Sequence, residues 1–197
     1  MRLVGLGISW TIATFAGFIL ATLLALASFL GISTLVGCDV RSVAPLPNEC
    51  SNYYYLVLFL AALLGGAGLG LTRFAILRLF RFPTSAWWIP ATSLGLAIPV
   101  SLEITSPARI SVLADMSFFL ILGVSLGIAQ WLVLRVHIPR SVIWIAGTVI
   151  SALLAGLISN WTVASPLSWI VVGAGTALTL IRLARIETPL RSEEAGA

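Results

Sequence analysis

The sequence predicts an all-α integral membrane fold: six transmembrane helices arranged as three repeated helical hairpins, with the N- and C-termini cytoplasmic. Three observations lead there. Of 197 residues, 59% are hydrophobic and 9% charged, against about 25% charged in soluble domains. The charged residues divide the chain into uncharged stretches long enough to span a hydrocarbon core, which takes about 20 apolar residues for about 30 Å. Finally, one pattern recurs three times. Trp10, Trp88 and Trp144 each stand four residues before a threonine, Thr14, Thr92 and Thr148. The helix that follows carries a small residue, a second small residue four on, and an arginine eight beyond that. These are Gly66, Gly70, Arg78; Gly123, Gly127, Arg135; and Gly173, Ala177, Arg185.

Helices are expected over residues 5–34, 52–78, 86–103, 113–135, 141–159 and 165–185. Together they form one transmembrane domain spanning 1–185, followed by a cytoplasmic tail, 186–197. In the first helix Ala13, Gly17, Ala21 and Ala25 share a face. Its apolar run exceeds the roughly 7 to 15 residues of a signal-peptide core, so it reads as a retained span. The outer connection after it holds Cys38 and Cys50. In an oxidising compartment these would pair, closing a loop worth about 3 kcal/mol in the chain-entropy model; two free thiols are the alternative.

The second helix carries Gly66 and Gly70, and the fourth Gly123 and Gly127. In a bilayer such small residues promote association by letting backbones approach. In the third helix Pro90 and Pro99 remove backbone donors and are expected to bend or shorten it. The uncharged run 141–181 is long enough for two spans, and Asn160, Trp161, Thr162, Ser165 and Pro166 supply the turn that splits it. The two inner copies match furthest: Pro83, Ser85, Trp88, Ile89 and Thr92 recur, after a one-residue deletion, as Pro139, Ser141, Trp144, Ile145 and Thr148. Aromatic-belt and positive-inside preferences account for the Trp and Arg positions. They do not account for the shared glycine spacing, which reads as internal duplication.

All 11 basic side chains are arginines. With a cytoplasmic N-terminus, Arg41 and Arg109 fall outside and the other nine inside, a positive-inside distribution. The net charge of +4 therefore reflects topology and not nucleic-acid binding.

Chemistry-bearing residues are few. Arg73 lies within a span, about 7 Å deeper than Arg78 at about 1.5 Å per residue, and Gln130 holds the same depth in the second copy. Intramembrane polar residues are candidates for function. The alternative is that Arg73 snorkels to the headgroups while Gln130 bonds a neighbouring helix. The candidate binding set is Arg73, Gln130, Arg78 and Arg135, and the packing set is Gly66, Gly70, Gly123, Gly127, Gly173 and Ala177. The single histidine, His137, reads as a surface-loop residue with no ligand neighbours, so no metal and no cofactor is expected. No nucleophile elbow, phosphate loop or paired-carboxylate motif is present, and the chain is not expected to be an enzyme.

The run Gly127-Ile-Ala-Gln130-Trp131-Leu-Val-Leu-Arg135, with Trp144 and Thr148 after it, resembles a pattern in uncharacterised bacterial multi-pass membrane proteins. The likeness covers residues 127–148, with a weaker echo at 70–92 where Arg73 and Phe74 replace Gln-Trp. It implies a multi-pass topology in a bacterial inner (cytoplasmic) membrane and assigns no catalytic residue. Membrane lipids, and other membrane-protein subunits, are the expected partners. Abundant packing faces and sparse chemistry favour a non-enzymatic accessory or assembly subunit. A small carrier or binding protein for an amphipathic or anionic solute is the alternative, and an axis that is filled or hollow at the depth of Arg73 and Gln130 separates the two.

Overall fold

The computed structural model describes residues 2–36, 48–105, 112–138, 140–159 and 166–194. They form six helices: α1 (Arg2–Val36), α2 (Asn48–Leu79), α3 (Trp88–Thr105), α4 (Val112–Leu134), α5 (Ile143–Ser159) and α6 (Pro166–Glu194). Stretches Leu3–Ser28, Leu56–Leu79, Met116–Leu134 and Leu167–Arg185 are each long and apolar enough to cross a membrane. The 18 and 17 residues of α3 and α5 span roughly 27 and 26 Å. α6 continues to Glu194, through residues that composition assigned to a tail. No disulfide is present among the described residues; the expected Cys38–Cys50 pairing involves Cys38, which lies outside them.

Each helix packs on its neighbours in sequence, and α6 returns to α1. The result is a closed ring of three hairpins around one axis. Large aliphatic side chains such as Ile8, Ile12, Leu71, Leu94, Leu132 and Ile150 face outward, an apolar outer surface compatible with lipid. The inner surface is lined by matching residues from each hairpin. Leu77, Leu134 and Leu180 form one fully buried layer. Leu69, Leu126 and Val172, at 1%, 2% and 3% exposure, form another, two turns further from the arginine-rich end.

Glycines set the spacing between hairpins. A Cβ added to Gly70 would lie 3.0 Å from Ile89 Cα and 3.1 Å from Thr92 Cβ; at Gly127 the neighbours are Ile145 Cα and Thr148 Cβ at 3.2 and 3.4 Å. At Gly173 they are Thr11 Cα at 3.2 Å and Thr14 Cβ at 3.1 Å. Gly173 thus occupies the position of Gly70 and Gly127, not that of Gly66 and Gly123, and the third copy is corrected by one helical turn. The cause is that small residues four apart match themselves when slid by four, so spacing alone left the register ambiguous.

Both prolines are accommodated within α3. Pro90 lies in the first turn of α3, where an amide has no intrahelical acceptor to lose. Pro99 is inside the helix and deprives the Gly95 carbonyl of its partner, but Ser125 Oγ of α4 donates to that carbonyl at 2.8 Å. The neighbouring helix satisfies the group that the proline freed, and α3 runs on without interruption.

The α2–α3 turn ends in a left-handed residue. Arg81 has φ 55°, with Phe82 N donating to Leu77 O at 2.8 Å and Arg81 N to Arg78 O at 3.0 Å, the paired bonds of a Schellman cap. The cap swings Phe82 onto the core. The second copy is one residue shorter: His137 N and Ile138 N both donate to Leu134 O, at 2.9 and 2.8 Å. Ile138 then buries where Phe82 does.

Two stability measurements follow. Arg81→Gly relieves a side chain in the left-handed region and is expected to raise stability by about 1 kcal/mol, read as a higher melting temperature in detergent. Gly66→Ala places a Cβ 2.5 Å from Ser93 Cα, whereas at Gly31 a Cβ meets nothing within 4 Å. The first is therefore expected to lower the melting temperature clearly and Gly31→Ala to leave it level or higher.

Candidate functional site

The axis holds three tryptophans. Trp10, Trp88 and Trp144 have no solvent exposure. Their ring centroids stand 6.0, 6.0 and 5.7 Å apart at interplanar angles of 72°, 86° and 67°. This is a cyclic edge-to-face triad, in which positive ring edges meet negative faces, each pair worth about 0.5–1.5 kcal/mol beyond burial. Neighbouring Trp87 is 73% exposed, so adjacent tryptophans have opposite solvents. The belt preference fits Trp87 and fails for Trp88.

An indole N–H without water needs an acceptor, and each hairpin presents one candidate to the tryptophan of the next. From Gly70, Gly127 and Gly173 the residue three further on is Arg73, Gln130 and Thr176, all fully buried. Trp144 Nε1 donates to Gln130 Oε1 at 3.1 Å, and Trp10 Nε1 donates to Thr176 Oγ1 at 3.0 Å. Trp88 Nε1 is buried with no partner. Its counterpart is Arg73, whose guanidinium has donors only.

The repeated threonines complete the layer. Thr14, Thr92 and Thr148 hydroxyls donate to the carbonyls of Trp10, Trp88 and Trp144 at 2.9, 2.8 and 2.8 Å. Their oxygens remain free to accept. Gln130 Nε2 donates to Thr92 Oγ1 at 3.0 Å and Arg73 Nε to Thr14 Oγ1 at 3.1 Å. This explains the Trp-x-x-x-Thr spacing: one turn places the hydroxyl beside its own tryptophan carbonyl and opposite the polar residue of the paired helix.

Arg73 is therefore turned inward, and the snorkelling alternative is set aside. Its Cζ lies 5.1 Å from the Trp10 ring centroid, a cation–π contact worth up to about 2 kcal/mol when desolvated. Nη1 and Nη2 have no partner. The other two binding candidates do not join it. Arg78 and Arg135 are exposed and lie over the rings of Phe74 and Trp131, one turn back, at 5.2 and 5.4 Å. Of the packing candidates, Gly66, Gly70, Gly123, Gly127 and Gly173 sit against neighbouring backbone, and Ala177 is part of the core.

Sequence reading missed Thr176 as the third member of the polar layer. The Trp-Thr repeat marked the axis, but the register error placed Leu180 opposite Arg73 and Gln130. A second feature also lacked a sequence signal. On the outer surface, between α3 and α4 near the arginine-rich end, Ser85, Trp87, Pro90, Leu94, Ala129 and Val136 line an apolar groove of about 470 Å³. Exposed His137 stands at its rim. The groove exists because Pro90, Ala91 and Ala129 are too short to fill it.

No family model matches the chain, and neither a curated protein nor a solved structure matches it significantly.

Gln130 supplies both the acceptor for Trp144 and the donor for Thr92, so Gln130→Leu leaves a buried indole N–H unsatisfied. The expected loss is about 1–3 kcal/mol, measured by thermal unfolding in detergent. Gln130→Met together with Trp144→Phe removes donor and acceptor together, and should recover part of that loss.

Proposed function

We propose that this is a six-span, non-enzymatic protein of a bacterial inner membrane, with cytoplasmic termini. It acts as an accessory or assembly subunit through helix packing and partner contacts. The observation that carries this reading is the filled axis. At the depth of Arg73 and Gln130 the centre of the ring is occupied by three interlocked indoles, with layers of aliphatic side chains on both sides. A carrier needs its polar residues to face a space that a solute can enter and leave. Here Gln130 cross-links two hairpins, and Arg73 bonds Thr14 and lies against the Trp10 ring. The ring then presents a fixed outer shape, and the α3–α4 groove is a concave apolar feature on it, sized to receive side chains of a partner's transmembrane helix.

Native mass spectrometry of the protein isolated in mild detergent at its natural expression level tests the proposal. One membrane protein at fixed stoichiometry is expected, and it should be lost from Ala129→Trp, which fills the groove, while the variant's melting temperature stays close to wild type. A solitary, monodisperse protein, or a partner indifferent to Ala129→Trp, would count against this role for the groove and, in the first case, against the subunit reading itself.

A further inference from the structure

We propose that the ring holds one buried monatomic anion, a halide in size and charge, bound by Arg73 and Trp88 at the α2–α3 junction beside the indole triad. The proposal stands independently of the subunit role. Its basis is a mismatch within an otherwise repeated polar layer. In the α4–α5 pair Gln130 both donates and accepts, satisfying Thr92 and the Trp144 indole together. In the α6–α1 pair Thr176 accepts from the Trp10 indole. In the α2–α3 pair the equivalent residue is Arg73. It bonds Thr14 through Nε just as Gln130 bonds Thr92, yet it has nothing to offer Trp88.

Three donor groups of the α2–α3 pair are consequently left buried and unpartnered: Arg73 Nη1, Arg73 Nη2 and Trp88 Nε1. The arginine also carries a charge for which the sequence provides no counterion, since no acidic residue lies between positions 50 and 102 or between 116 and 186. Buried donors are costly unless satisfied, and a buried charge more so. An acceptor bearing negative charge meets both needs. A monatomic anion asks least of the surroundings: Arg73 and the three indoles have no solvent exposure, and the indole centroids are 6.0 Å apart or less. A multi-atom oxyanion would have to push these rings apart.

Such an anion would be structural. It would give the first and second hairpins the link that Gln130 and Thr176 give the other two junctions. Arg73→Gln is the informative variant, because glutamine is the residue that already serves this position in the second copy. It supplies the acceptor for Trp88 and removes the charge, so it is expected to fold without an anion.

The test measures melting temperature and halide content for wild type, Arg73→Gln and Trp88→Phe, purified in sodium gluconate and titrated with chloride, bromide or phosphate at constant ionic strength. For wild type the expected result is a melting temperature that rises by several degrees with chloride or bromide and not with phosphate, or one halide per chain retained by X-ray fluorescence after desalting into gluconate. Arg73→Gln should show neither, and Trp88→Phe should need several-fold more halide for the same shift. The proposal is overturned if wild type shows no halide response and retains no halide, the result expected for buried water. It is equally overturned if Arg73→Gln keeps the wild-type response, or if phosphate acts as well as chloride, which would indicate an oxyanion site or a surface salt effect.

Discussion

An indole N–H removed from water must find an acceptor, and three of them meet on the axis of this ring. Each lies on the first helix of a hairpin, and the residue placed to answer it lies on the second helix of the hairpin before. The polar layer is therefore a chain of junctions between hairpins. In lipid, where apolar side chains gain little by leaving the solvent, such bonds and close backbone contacts carry the specificity that the hydrophobic effect supplies in water. The glycines belong to the same constraint. Gly70, Gly127 and Gly173 bring the second helix of each hairpin against Ile89 and Thr92, Ile145 and Thr148, or Thr11 and Thr14, close enough for a side chain one turn along to reach the axis.

Repetition makes the departures interpretable. Gln130, Thr176 and Arg73 answer one geometric question with three chemistries: an amide that donates and accepts, a hydroxyl that accepts while donating to its own helix, and a guanidinium that only donates. The two inner turns differ in the same way. An extra residue is absorbed by the left-handed Arg81 in one, while the shorter turn reaches the same burial with Ile138. Pro99 and Ser125 are a further local exception, in which the cost of a missing amide is met by a hydroxyl on the adjacent helix.

Much of the organisation was legible in the sequence. Hydropathy and the turn residues at 160–166 together give six helical segments, because long apolar runs between charges leave few other structures possible. The spacing of Trp10 and Thr14, and of their two repeats, marked three equivalent helices, and the inner glycines marked the faces that pack. The depth of Arg73 and Gln130 was also readable, since helical rise converts sequence distance into height. What failed did so for identifiable reasons. A small-residue period of four cannot distinguish one turn from the next, so Gly173 was paired with Gly66 and Thr176 was passed over. A tryptophan near the end of a span suits a headgroup belt as well as an axis, and Trp87 beside Trp88 has both fates in consecutive residues.

By itself, then, the sequence determined the helical class, the threefold repetition and the presence of polar side chains at one depth. These depend on composition and on distances along a helix. Only the tertiary structure decided that the hairpins close into a ring, that the tryptophans fill its centre, and that Arg73 turns inward with three donor groups at its junction left unanswered. Those outcomes depend on which way each helix is rotated about its own axis, and that rotation is set by contacts between residues far apart in the chain.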